Sequence, residues 1–183
     1  MKVSCETDCH ALDTPFLFES RSEIETEELG RAVASLLAPG TVLALRGELA
    51  TGKTCFVRGM GRFLAPSQPV HSPSFTLVNE YRDVRTDRAV PVLVHIDLYR
   101  LSGPAEVVDL AWEEFFDSNA VCAIEWAERA EPLLPAARLD VVFEHGGGDT
   151  RLIRILNRGL LGTDWQTRLA ETLSKAGRRS DPA

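Results

Sequence analysis

No apolar run in this chain approaches the roughly 18 residues that a membrane-spanning helix requires. The longest stretches, such as Val90 to Ile96 and Ala120 to Ile124, are soon interrupted by His95 or Glu125, so a helical membrane protein is not expected. Cysteine is scarce as well. Cys5, Cys9, Cys55 and Cys122 are too few and too scattered for a disulfide framework in 183 residues, and a reducing cytoplasm is the expected setting. Cys5, Cys9 and His10 lack a further ligand pair at zinc-site spacing, which leaves a plain leader as the simpler reading. Met1 to Thr14 holds Glu6, Asp8 and Asp13 where a secretion signal needs a basic patch and an apolar run, so no signal peptide is expected. Basic charge is also in deficit, with 20 Lys and Arg against 27 Asp and Glu and a net charge of −7. The one basic surplus lies in residues 151–183, from Arg151, Arg154 and Arg158 to Arg179. It either faces the phosphate backbone of a nucleic acid or forms an ordinary solvated face, and the second is the preferred reading.

What is present suits one globular domain. With 44% hydrophobic and 26% charged residues, a core can form over about residues 15–176, between a disordered acidic leader at 1–14 and a disordered tail at 177–183. Pro15 to Glu19 reads as an edge strand, and Ser22 with Glu25 as a capping box that opens an amphipathic helix stopped by Pro39-Gly40. Thr41 to Arg46 is a buried strand, and Phe56, Met60, Phe63 and Leu64 mark a helix closed by Pro66. Leu77 to Arg82 and Val90 to Ile96 predict a hairpin with a polar turn at Asp83 to Arg88. Ser102 and Pro104 open a short helix, Trp112, Phe115 and Phe116 supply packing groups, and Ala120 to Glu125 is a further buried strand. Leu139 to Glu144 and Arg151 to Leu156 predict a terminal hairpin, followed by a helix from about Asp164 to Lys175. The order is α/β with a mixed parallel and antiparallel sheet.

Chemistry concentrates in Gly47 to Thr54 (GELATGKT), which fits G-x-x-x-x-G-K-[ST] between a predicted strand and a predicted helix. Glycines at such a loop let backbone N–H groups turn inward around phosphates, and the helix N-terminus adds partial positive charge. Ala50, Thr51 and Gly52 belong to this cradle, Lys53 would reach the β- and γ-phosphates, and the Thr54 hydroxyl would ligate Mg²⁺. A chain of this length matches the pattern by accident only about once in a hundred cases. A Mg²⁺-nucleotide site needs further carboxylates at strand ends, and Asp97 and Glu125 supply two that could hold the ion and align water. His71 to Thr76 (HSPSFT), including Ser74, is either a loop that senses the γ-phosphate or a Ser/Pro turn. Trp126 either stacks near the nucleotide or packs in the core, with core packing the default.

LRGELATGKTCFVRG (45–59), SPSFTLV (72–78), HIDLYRL (95–101), WEEFF (112–116) and IEW (124–126) together resemble the TsaE (YjeE) family, over about residues 22–126. Members of that family are P-loop ATPases of bacterial tRNA threonylcarbamoyladenosine biosynthesis. The resemblance implies a P-loop NTPase-like three-layer α/β fold and a weak Mg²⁺-dependent ATPase. It also implies work with TsaD and TsaB on adenosine 37 of tRNAs that read ANN codons. It assigns Lys53 and Thr54 to phosphate and Mg²⁺, Asp97 as the Walker B-like acid, Glu125 as the second acid at the metal, and Trp126 as the tryptophan near the nucleotide. Glu23 and Thr26 match a segment that comes near the nucleotide in relatives. The family usually has glycine at Ala50, threonine at Ser74 and often threonine at Cys55. Where a loop needs φ > 0 the Ala50 methyl is unfavourable, while Ser74 keeps its hydroxyl and Cys55 gives up one that could touch the α-phosphate. Two other classes stay open on residues alone: a small-molecule kinase, for which no arginine-bearing lid is evident, and a nucleotide-gated assembly module without essential turnover. A GTPase is disfavoured because N-K-x-D is absent.

Overall fold

The computed structural model describes residues 14–82, 92–108 and 120–177. All of the expected leader but Thr14, the Asp83 to Arg88 turn, the WEEFF segment and all of the expected tail but Gly177 lie outside the described residues. Seven strands form one sheet: β1 (Phe16–Ser20), β2 (Val42–Arg46), β3 (Val78–Tyr81), β4 (Val92–Asp97), β5 (Ala120–Glu125), β6 (Arg138–Gly147) and β7 (Thr150–Arg158). Their order is β1-β7-β6-β2-β5-β4-β3. β6, β2, β5 and β4 run parallel, whereas β1, β7 and β3 are antiparallel to their neighbours. Both expected hairpins form, and β1 is an edge strand.

Alternation along the buried strands divides the core into two layers, as the period of two requires. Leu43, Leu45, Val121 and Ala123 face α1 (Glu23–Ala34), α2 (Lys53–Leu64) and α4 (Trp165–Gly177). Val42, Ala44, Cys122 and Ile124 face a thinner layer of α3 (Pro104–Val108) and a 3₁₀ segment, Ala127–Leu133. The result is three-layered. The sequence contains no signal for the 3₁₀ segment, which carries Pro132 inside it. Among the described residues, no helix is long and apolar enough to cross a membrane.

Ser22 caps α1 by accepting the Glu25 N–H at 3.1 Å, but the Glu25 carboxylate returns to Arg21 N at 2.6 Å instead of to the cap residue itself. α1 then lies on α2 almost backbone to backbone. A Cβ on Gly30 would stand 2.0 Å from the Phe56 carbonyl oxygen, and one on Gly59 would stand 1.9 Å from that of Glu27. No side chain fits there, so the two glycines set the separation of the helices. This contact carries Glu23 to the N-terminal end of α2. On its other side α2 is tied to β6 by an edge-to-face pair, Phe56 and Phe143, at 5.6 Å and 78°.

Asp140 ties three strands together. Its oxygens accept Arg138 Nε and Arg158 Nε, each at 2.8 Å, and Arg46 Nη2 lies 3.5 Å away. Burial alone would raise the Asp140 pKa, yet the bonds from Arg158 and Arg138 and the charges of Arg138 and Arg46 bring it below the ordinary 3.8. Arg154 pairs with Glu144 across β6 and β7, at the surface. Two of the C-terminal arginines, Arg154 and Arg158, are thus paired with carboxylates of β6.

Two outcomes are expected. Gly59→Ala should lower unfolding free energy by about 2–3 kcal/mol in urea titrations, while Gly103→Ala, where a Cβ meets nothing within 4 Å, should leave it unchanged. A group whose folded pKa is depressed stabilises above its unfolded value and loses that contribution as pH falls through the folded one. Acid titration of stability below about pH 4 should accordingly be steeper for the natural chain than for Asp140→Asn.

Candidate functional site

Gly47 to Thr54 leaves the C-terminal end of β2, turns over, and enters α2 at Lys53. Three residues of the loop have positive φ: Gly47 at 140°, Ala50 at 63° and Gly52 at 102°. Gly47 permits none but glycine, because a Cβ there would lie 2.4 Å from the Phe143 carbonyl oxygen. Gly52 is the N-cap of α2 and offers no side-chain cap, which leaves the helix N-terminus to whatever occupies the loop. Thr51 is buried and serves the loop itself, donating its hydroxyl to Glu48 O at 2.8 Å.

Beside the loop is a cleft of about 500 Å³. Ala50, Thr51, Gly52, Lys53, Thr54, Cys55, Ser74, Asp97, Glu125, Trp126 and Glu23 all line it. Of the site residues expected from the sequence, Thr26 alone does not. Its side chain is fully buried, its hydroxyl is shared with Ser20 at 2.7 Å and donated to Ser22 O at 3.1 Å, and its methyl faces Gly52. It supports the loop from behind instead of facing the cleft.

Lys53 is bent back on its own loop. Nζ donates to Gly47 O at 2.6 Å and Glu48 O at 2.7 Å and lies 4.2 Å from the centre of the Trp126 ring. Burial pushes its pKa below the ordinary value of 10.5, against the upward pull of Glu125, Glu128 and Asp97. Thr54 Oγ1 donates to Glu125 Oε1 at 2.8 Å. Asp97 Oδ2 accepts Ser74 Oγ at 2.7 Å and Ser72 Oγ at 3.4 Å, and its Oδ1 accepts Tyr99 N at 3.0 Å. The Ser/Pro segment is thus anchored to a strand-end carboxylate. Cys55 is buried, donates to Glu23 O at 3.1 Å, and has a thiol pKa raised by that burial.

The sheet ranks the two acids in a way that strand-end position alone cannot. β5 is the immediate neighbour of β2 and β4 is one strand further out, so Glu125, not Asp97, stands next to the P-loop strand and touches Thr54. Asp97 and Glu125 are register partners, each almost wholly buried. Two carboxylates side by side repel unless a cation lies between them. Together with Thr54 they present only hard oxygen donors, a set that fits Mg²⁺.

Trp126 packs against the core, as the default expectation has it, and also lines the cleft. It rests partly buried on the thinner core layer while its ring faces the cleft, in contact with Lys53 and 5.0 Å from Tyr99. Its φ of 58° follows directly from the sharp exit of the chain after Glu125. Leu77, with φ 65°, closes the Ser/Pro segment and delays β3 to Val78. Ser72 joins Ser74 in the lining, and so do four residues to which the sequence analysis gives no role at the site: Arg58, Tyr99, Arg100 and Arg151. Arg58, one turn beyond Thr54 on α2, could have been placed by helical spacing. Arg151 could not, because only the β6–β7 hairpin brings it there. In the structure the positive φ at Ala50 makes its methyl a liability. Ala50→Gly should raise stability in urea by about 0.5–1 kcal/mol, and a decrease would show that the loop is not strained at that position.

Comparison with known proteins places the chain in a family and a fold. The family model described as threonylcarbamoyl adenosine biosynthesis protein TsaE matches residues 20–160. A relative from Bacillus subtilis, the tRNA threonylcarbamoyladenosine biosynthesis protein TsaE, is 39% identical over 129 residues, covering 70% of this chain and 77% of the relative. The protein of the same name from Aquifex aeolicus is 39% identical over 126 residues, covering 68% and 86%. The crystal structure of Bacillus subtilis YdiB superposes with a TM-score of 0.68 and 30% identity, over 90% of this chain and 97% of that one. With a P-loop, two strand-end acids and these relatives in agreement, the chain belongs to the TsaE family.

Proposed function

We propose that this chain binds ATP with Mg²⁺ in the cleft and hydrolyses it slowly. In this reading hydrolysis serves, together with TsaD and TsaB, the placing of threonylcarbamoyl on adenosine 37 of tRNAs that read ANN codons. The observation that carries the proposal is the contact of the P-loop hydroxyl of Thr54 with Glu125, whose register partner is Asp97. The names of the relatives supply the pathway, and the cleft supplies the chemistry.

When bound, Mg²⁺ neutralises charge on the β- and γ-phosphates and polarises the bond to be broken. The protein's own residues do the rest by position. Lys53 exchanges the carbonyls of Gly47 and Glu48 for phosphate oxygens, an exchange eased by the burial that disfavours its isolated charge. Thr54, whose hydroxyl donates to Glu125, would hold Mg²⁺ through its oxygen. Glu125 would align the attacking water, and Asp97, which here accepts from Ser72 and Ser74, would help to hold Mg²⁺, so that the Ser/Pro segment is tied to occupancy of the cleft. Glu23 lies on the nucleotide side of α1, beside Arg58 at 2.8 Å. Transfer to water asks for alignment and charge stabilisation, and a cleft this open supplies them fully only when a partner closes it, so intrinsic turnover is slow. TsaD and TsaB are the partners in this reading, tRNA is met through them, and the chain acts in the cytoplasm.

Steady-state ATP hydrolysis, measured alone and with a TsaB–TsaD complex, tests the proposal. Strong stimulation is expected, with Lys53→Ala losing tight nucleotide binding and Glu125→Ala binding ATP without turnover. Partner binding that depends on ATP but brings no stimulation would point instead to an assembly module. Normal turnover in Glu125→Ala would remove that residue from the chemistry.

A further inference from the structure

His95 is completely buried, and its Nε2 lies 2.8 Å from Glu125 Oε1. The β4–β5 register places His95 opposite Ala123 and Asp97 opposite Glu125. With side chains alternating every second residue, His95, Asp97 and Glu125 share one face of the sheet, and His95 reaches Glu125 along the diagonal. The oxygen it meets is the one that also accepts the Thr54 hydroxyl at 2.8 Å. A carboxylate oxygen offers about two lone-pair directions, and both are taken here, one from β4 and one from α2. No hydrogen bond to Oε2 occurs among the described residues, so Oε2 is the oxygen left for the cleft.

The other ring nitrogen, Nδ1, is buried with no hydrogen-bond partner among the described residues. An orphaned buried polar atom costs about 1–3 kcal/mol, a cost that an apolar ring in the same space would avoid. What the imidazole supplies and an apolar ring cannot is the N–H aimed at Glu125.

We propose that His95 is the positioning residue for Glu125: with Thr54 it clamps Oε1 from two elements, so that Oε2 is presented to the reacting phosphate and its metal. This rests on the ATPase reading above. Loss of the clamp frees the carboxylate to swing about Thr54. The phosphates remain held by the P-loop and Lys53, so turnover suffers and nucleotide affinity does not.

The test uses the full chain with TsaB–TsaD, comparing His95→Phe, which removes the donor, with His95→Gln, whose amide can donate in its place. His95→Leu is a second donor-less variant should the Phe protein fail to fold. Glu125→Ala runs alongside. In the donor-less variant kcat should fall about tenfold or more, while KM and the dissociation constant of ATP at saturating Mg²⁺ stay within about threefold. Independently of turnover, the Mg²⁺ concentration that half-saturates ATP binding should rise about tenfold. His95→Gln should recover most of both effects. Natural kcat in the folded donor-less variant, or a loss of ATP affinity as large as the loss of kcat, overturns the positioning role. So does a folded Gln variant as impaired as Phe. Normal hydrolysis by Glu125→Ala, or none by the unaltered chain, overturns the ATPase reading itself. Loss in Glu125→Ala beside natural turnover in His95→Phe overturns the role of His95 alone.

Discussion

Glu125 ends β5 with almost none of its surface in water, and a carboxylate so placed has to be met by donors or by a cation. Thr54 comes to it from the first turn of α2 and His95 from the last rungs of β4, so one oxygen joins the P-loop helix to two parallel strands. Asp97 stands opposite in register and is met in turn by hydroxyls of the Ser/Pro segment and by the backbone of Tyr99. The cleft is in this sense built around two buried negative charges. Lys53 lies close enough to feel both, and the ordering of the surrounding elements follows from satisfying them.

Such an arrangement depends on precise placing of α2, and the fold provides it from two sides. Gly30 and Gly59 allow α1 to press directly on α2, and Phe56 is wedged against Phe143 on β6. The tight contact also explains why α1 contributes to the cleft at all. Glu23 is carried to the rim while Thr26, one turn on, faces inward to Ser20 and stiffens the loop from behind. Resemblance alone grouped these two residues, and the direction of their side chains separates them.

Strain is concentrated in the same place. Ala50, Leu77 and Trp126 are the non-glycine residues with positive φ among those described, and they occur in the P-loop, at the end of the Ser/Pro segment and immediately after Glu125. Each costs of order 1 kcal/mol or more and persists because the neighbouring structure leaves no other path. At Trp126 the left-handed turn goes with an indole ring in contact with Lys53 Nζ, at the cleft.

Much of this was legible in the residues. The P-loop was legible because its chemistry requires particular side chains at fixed local spacing, and Asp97 and Glu125 because buried strands end where charge begins. The two hairpins followed from short polar or glycine-rich connections between apolar runs. What local pattern cannot carry is the order of strands across the sheet, since pairing between distant segments leaves no periodic mark on either one. Tertiary structure alone therefore decided that Glu125 and not Asp97 lies next to the P-loop strand, that Arg151 reaches the cleft from a hairpin about a hundred residues downstream, and that His95 is spent on Glu125. It likewise decided that Trp126 faces the cleft and Thr26 does not, because side-chain direction depends on how elements pack and not on which residues they contain.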